Sequence, residues 1–239
     1  MKITVCKDYK EMSAVAADTV AALVRSKPDC VLGLATGSTP EGMYADLIDM
    51  YNAGTLSFSK ATSVNLDEYY PLEPENDQSY RYFMNTKLFD HVDIDKAKTF
   101  VPNGLAKDPD EEGKSYDAMI ESLGGVDLQI LGIGRNGHIG FNEPGDHLIG
   151  GTHVTDLTPS TIEANARFFA SADDVPKQAL TMGIKTILAA KKIVLLVSGA
   201  DKAAAVARLL EGKITTECPA SFLNLHSDVT LIVTEDALA

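Results

Sequence analysis

Cysteine is scarce in this chain. Cys6, Cys30 and Cys218 are widely scattered and form no CxxC pair. Each lies in or beside an apolar segment, which reads as a buried thiol of a reducing compartment and argues against a disulfide framework. Long hydrophobic runs are missing as well. No stretch reaches the roughly 18 uninterrupted apolar residues of a membrane span, and the opening "MKITVCKDYKEM" carries no signal-peptide core. The cytoplasm is the expected location. Cations are in deficit: the formal net charge is -13, which repels nucleic-acid phosphates and anionic lipid surfaces. A small phosphorylated molecule can still bind where local amides and one or two cations outweigh the distant field. Glycine and proline are at ordinary levels and there is no internal repeat, which argues against fibrous and disordered classes.

What is present is an alternation of apolar strands and amphipathic helices. Strands are expected at Ile3–Cys6, in "CVLGLA", "ATSVNLDEYYPL", "GVDLQILGIG", "KKIVLLVSG" and "DVTLIVTEDAL". Between them, Met12, Val15, Ala16, Val20, Leu23 and Val24 recur at helical spacing until Pro28. "PEGMYADLIDMYNAG" reads as a helix with proline in its first turn. This pattern predicts one α/β domain over residues 1–239, with a doubly wound, mostly parallel sheet and helices on both faces. Function then collects at the carboxyl ends of the strands. Three polar clusters fall there, at 36–39, 65–68 and 134–143.

In the first cluster, "TGSTP" places Gly37, Ser38 and Thr39 between a buried strand and a helix start. Amides at such a turn cradle a phosphate, with help from the helix dipole. The plainer alternative is that Ser38 or Thr39 merely caps the helix. The Walker pattern is missing, so ATP hydrolysis has no support. "GIGRNG", Gly132–Gly137, satisfies GxGxxG, but a dinucleotide fold needs its third glycine to open a helix. Here "HIGFNEPGDHLIGG" follows, whose glycines and proline forbid one. These glycines instead let backbone pass close to a substrate, or make a tight turn without chemistry.

"NLDEYY" puts Asp67 and Glu68 at a strand end, where one carboxylate can face the crevice as a general base. Adjacent acids rarely point the same way, so different roles are expected. "GHIGFNEPG" supplies His138, suited to moving protons near neutral pH, and Glu143, which can orient its ring. His138, Glu143 and His147 lack the HExxH spacing, so no metal is expected. No GxSxG elbow exists. What is left is proton transfer on a sugar phosphate without a visible cofactor.

At these residues the chain resembles the glucosamine-6-phosphate deaminase family. "GLATGSTP", "NLDEYY", "GIGRNGHIGFNEPG", "ANARFF" and "TMGI" occur in that family's order across nearly the whole chain. The resemblance implies a modified Rossmann-like doubly wound fold and conversion of glucosamine 6-phosphate and water to fructose 6-phosphate and ammonia, with no cofactor. It implies that Gly37, Ser38 and Thr39 enclose the phosphate, with Arg167 and Lys202 as cationic contacts. His138 becomes the ring-opening acid–base, Glu143 its partner, and Asp67 the base that moves a proton from C2 to C1. Glu68 is auxiliary, organising the amine or the loop. The family commonly carries aspartate where Asn136 stands. Asn136 therefore belongs to the catalytic group as a hydrogen-bonding member and not as a charged relay. Residues 158–186 are expected to form a mobile cover. The short end after "VTLIVTEDALA" resembles members that work without N-acetylglucosamine 6-phosphate control, so a monomer is expected ahead of a small homo-oligomer. Rival readings are a 6-phosphogluconolactonase-like hydrolase, a ketose–aldose phosphate isomerase and a catalytically silent sugar-phosphate sensor.

Overall fold

The computed structural model describes residues 1–165, 169, 171 and 175–238. Seven strands form one parallel sheet: β1 (Lys2–Cys6), β2 (Val31–Leu34), β3 (Thr62–Asn65), β5 (Thr99–Phe100), β6 (Leu128–Leu131), β9 (Ile193–Val197) and β10 (Val229–Thr234). Their spatial order is β1-β10-β9-β6-β2-β3-β5. β2, β6 and β9 are buried along their whole length, as a sheet covered on both faces requires. Removing a fully buried leucine such as Leu195 would cost about 2–5 kcal/mol, transfer and cavity terms together.

Helix α1 (Tyr9–Ser26) shows how local sequence and packing agree. Asp8 caps it by accepting the Glu11 amide, and Met12, Ala16, Val20 and Val24 of the expected stripe are buried. Val15 and Leu23 are only partly buried and flank that stripe. Helix α2 (Glu41–Asn52) packs beside α1.

The strand order reverses at β2. The chain runs outward from β2 to β3 and β5, then returns to β6 on the other side of β2 before adding β9 and β10. Leu32 pairs with Leu128 and Gly33 with Gln129 across that junction. A crevice opens beyond the carboxyl ends of the strands at such a switch point. The polar loops after β2 and β6 both border it.

The expected single strand over "ATSVNLDEYYPL" is two strands in two sheets. β3 ends at Asn65, and β4 (Asp67–Tyr70) begins a three-stranded antiparallel sheet ordered β4-β8-β7, with β7 at His153–Asp156 and β8 at Gln178–Thr181. Leu66 is the hinge between the sheets: its amide still bonds to Leu34 while its carbonyl accepts the Met182 amide at 2.7 Å. An apolar run cannot announce a change of sheet, because the residues on both sides are equally buried. The stretch 158–186 contains helix α5 (Pro159–Asn165) and β8, whose Ala179, Leu180 and Thr181 are fully buried. Its middle, 166–168, 170 and 172–174, lies outside the described residues.

Candidate active site

The loop after β2 turns at Gly37, whose φ is +88°, and leads into α2. Neither Ser38 nor Thr39 caps that helix: its N-cap position is Pro40, which offers no side-chain acceptor. The capping alternative is thus not what these hydroxyls do. The loop is braced from outside instead. The Tyr9 hydroxyl donates to the Ser38 carbonyl at 2.8 Å and accepts the Gly42 amide at 2.8 Å. Tyr9 comes from the start of α1, and no local motif marks it.

Asp67 is the first residue of β4 and is 6% exposed. No donor among the described residues bonds to its carboxylate. Burial first, and the neighbouring Glu68 charge second, push it up to about 8. Glu68, next along the strand, is directed elsewhere, as the period-2 alternation of side chains demands. It too is buried, but it accepts the amides of Tyr69, Tyr80 and Arg81 at 2.8–2.9 Å. Tyr80 and Arg81 open helix α3 (Tyr80–Lys87), so Glu68 satisfies donors that a helix start leaves unpaired. Burial raises Glu68, while these amides oppose the rise. Among the described residues, one acid is therefore left without donors while its neighbour ties β4 to α3.

The loop after β6 carries the second group. The Nδ1 atom of His138 lies 3.2 Å from Oε1 of Glu143, a close charge-type contact set off the line of a hydrogen bond. Asn136 binds both partners: its Nδ2 donates to Glu143 Oε2 at 2.6 Å, and its Oδ1 accepts the His138 amide at 3.1 Å. Thr161, on α5, donates to Glu143 Oε1 at 2.6 Å. Burial alone would push Glu143 up, but His138, Thr161 and Asn136 outweigh it and hold the carboxyl below its ordinary value. It is therefore an anion at neutral pH.

The glycines of this loop serve these side chains. A Cβ on Gly134 would lie 2.3 Å from the His138 ring, so the ring rests directly on that backbone. Gly140 has φ +57°, and a Cβ there would meet Thr181 Oγ1 at 2.9 Å and Asp67 Oδ2 at 3.6 Å. The loop thus passes beside the Asp67 carboxylate at the head of β4. Thr181 fixes the passage by accepting the Phe141 amide at 3.0 Å. No helix follows the glycines, in line with the exclusion of a dinucleotide site.

Of the two expected cations, Lys202 ends the 3-10 turn Ala200–Lys202 that follows β9, on the same edge of the sheet, and is half-buried. Arg167 lies outside the described residues. Arg135 pairs with Asp201 at 2.6 Å, linking the loops after β6 and β9 at the surface. His147 is exposed, and its side chain has no part in the His138–Glu143 contact. The open hollow of about 550 Å³ lined by Leu148, Ile184, Leu188 and Phe222 is apolar and contains none of the residues described above. The chemistry, not the size of a hollow, marks the site. Thr161, Thr181 and Tyr9 escaped sequence reading because each reaches its partner across at least 18 residues of chain.

Comparison with known proteins adds to this geometry. Residues 8–232 match the family described as glucosamine-6-phosphate isomerases/6-phosphogluconolactonase. The chain is 61% identical over 237 residues to a protein of Clostridium perfringens named glucosamine-6-phosphate deaminase, covering 99% of this chain and 98% of that one. It is similar to the solved structure of a monomeric glucosamine-6-phosphate deaminase, with TM-score 0.97, 51% identity and full coverage of both chains. The 6-phosphogluconolactonase of Thermotoga maritima is similar in fold, with TM-score 0.76 at 20% identity and 98% coverage of each chain.

Proposed function

We infer a deaminase from family and geometry together: the chain belongs to the glucosamine-6-phosphate isomerase/6-phosphogluconolactonase family. Within it, the chain converts glucosamine 6-phosphate and water to fructose 6-phosphate and ammonia. One observation carries this choice over the lactonase. The likeness to named deaminases holds at 51–61% identity over essentially whole chains, whereas the lactonase likeness at 20% is one of fold alone. The protein works as a monomer, like the solved deaminase it resembles.

The residue roles follow from the physical chemistry of the crevice. Neutral His138 takes the anomeric hydroxyl proton and returns a proton to the ring oxygen, releasing the open aldehyde. Anionic Glu143 holds the ring and balances the imidazolium that forms. Asn136 fixes the other carboxylate oxygen without carrying a proton. Asp67 then removes the proton from C2. In the free protein its carboxyl is held up to about 8 by burial, so it is largely protonated at neutral pH. The substrate's C2 ammonium favours the ionised form when it arrives, and the carboxyl proton leaves to water. The base is therefore generated by the molecule it acts on. As Asp67 takes the C2 proton, an ammonium proton passes to the C1 oxygen. Asp67 then delivers the C2 proton to C1 of the resulting enolamine, leaving an iminium at C2. Water adds to that carbon and ammonia departs.

At the other end of the crevice, the Gly37–Thr39 loop, Lys202 and Arg167 hold the phosphate through amides, hydroxyls and charge. Glu68 acts by fixing β4 against α3. A cover is proposed over 158–177, since β8 beyond it is bonded into the second sheet. The edge of Phe169 against Tyr69, with centroids 5.7 Å apart, supports closure over Asp67's strand. A cytoplasmic location is supported by three buried free thiols. No helix among the described residues is long and apolar enough to cross a membrane.

The test is to incubate the purified protein with glucosamine 6-phosphate and quantify fructose 6-phosphate and ammonia together. Equimolar release supports the deaminase. Sugar product without ammonia would point to an isomerase, and hydrolysis of 6-phosphogluconolactone alone to the rival hydrolase.

A further inference from the structure

We propose that Thr161 is a positioning residue for ring opening, whose hydroxyl fixes the single oxygen of Glu143 that faces His138. The proposal rests on the acid–base role of His138 given above. Oε1 of Glu143 receives the Thr161 hydroxyl at 2.6 Å and lies 3.2 Å from His138 Nδ1. Oε2 is taken by Asn136. Among the described residues, Thr161 is the one contact on this carboxylate that comes from outside the loop after β6.

The direction of the bonds is set by chemistry. An ionised carboxylate only accepts, so the Thr161 hydroxyl must donate to it. Its lone pair is then free to accept, and the Thr158 hydroxyl sits 3.0 Å away as the donor. A one-way chain Thr158 to Thr161 to Glu143 results. A threonine inside a helix ordinarily turns its hydroxyl back to a carbonyl one turn earlier. Thr161 does not. It is 7% exposed and directed at the carboxylate.

Thr161 sits on α5, at the start of the proposed cover. A shift of α5 therefore moves the donor on Oε1. When the donor is in place, Oε1 is shared and the ring is held off the hydrogen-bond line. When it leaves, Oε1 is free to accept fully from Nδ1–H and binds the imidazolium more tightly. Other ionisable groups nearby are Asp67, across Gly140 from the loop, and the exposed Arg135–Asp201 pair. Neither contacts Thr161, so both stay in place when its hydroxyl is removed.

The test compares Thr161→Val, Thr161→Ala and Thr161→Ser with the parent protein. The His138 imidazole is titrated by nitrogen-15 NMR in the free protein, its signal assigned by its loss in His138→Gln, and kcat and KM are measured alongside. Val and Ala are expected to lower kcat by ~10-fold with KM within ~2-fold, on the scale of one charge-assisted hydrogen bond. They should also move the His138 midpoint upward, and Ser should restore both readings. An unchanged midpoint and kcat in Val and Ala would overturn the proposal. So would a Ser variant that behaves like Val, which would mean packing and not the hydroxyl. If the parent protein releases no ammonia, the deaminase reading fails. The midpoint in the free protein still decides whether Thr161 acts on the pair.

Discussion

The two ends of the crevice are built in opposite ways. The proposed phosphate end is a short turn of backbone after β2, steadied by one phenol from α1. The proposed proton end is a convergence of side chains from three places: Asp67 from the second sheet, His138 and Glu143 from the loop after β6, and Thr161 from α5. A phosphate spreads its charge over several oxygens and tolerates small displacements. A proton moves only between atoms at hydrogen-bond reach, so its carriers must be held from several sides. The difference predicts that damage at the proton end appears in kcat and damage at the phosphate end in KM.

The strongest way to break this contrast is Asp67→Asn. It is expected to lower kcat by about 10²–10⁴-fold, the usual contribution of a general base, with substrate binding retained. Loss of binding instead of turnover would erase the distinction between the ends. The same variant should be the more stable protein in alkali. Asp67 is held up to about 8 from an ordinary 3.8, so between those values the folded chain keeps a proton that the unfolded chain has lost. Stability attributable to this group is therefore lost as pH rises through that window. The advantage of Asp67→Asn in chemical denaturation should grow from pH 5 to pH 9, and an advantage that shrinks would contradict the burial argument.

A smaller kcat effect is expected for His138→Gln, about 100-fold with closed-ring substrate, and much less with an open-chain analogue. Equal losses on both would remove ring opening from this residue. The Thr161 variants come next, at the level already given. Glu68→Gln sharpens the comparison within β4. An amide loses charge-assisted bonds to the α3 start, costing about 1–3 kcal/mol of stability. It also removes a charge that raises Asp67, so the acid limb of kcat/KM should move to lower pH. A limb that moves upward would mean Glu68 does not act on Asp67 through charge. The mildest change is Tyr9→Phe, which frees the Ser38–Gly42 turn. KM should rise ~2–5-fold with kcat unchanged, on the scale of one neutral hydrogen bond. A fall in kcat would show that the phosphate turn also positions the proton end.

Legibility in the sequence divides along the same line. "TGSTP" and "GHIGFNEPG" carry their turn glycines, donors and acids within a few residues, so their loops could be placed at strand ends from local pattern alone. The GxGxxG lure could be rejected for the same reason, since the following glycines and proline were visible. The break at Leu66 was not visible, because "SVNLDEYY" is equally buried on both sides of the hinge. The different surroundings of Asp67 and Glu68 were legible only as an expectation that neighbours diverge. Which of them meets three amides depends on where α3 begins in space. Thr161 and Tyr9 carry no local mark, as each is an ordinary helix residue by pattern.

From its residues alone this chain determined an alternating α/β domain, the loops that border its crevice and the kinds of group available for phosphate and proton. Those properties depend on periodicity and on turn chemistry, which act over a few residues. Tertiary structure decided which acid meets three amides, which oxygen of Glu143 is held, and which phenol steadies the turn. These depend on contacts between segments far apart in the chain, and a hydrogen bond formed at 2.6 Å across 18 residues exists only once both backbones are in place.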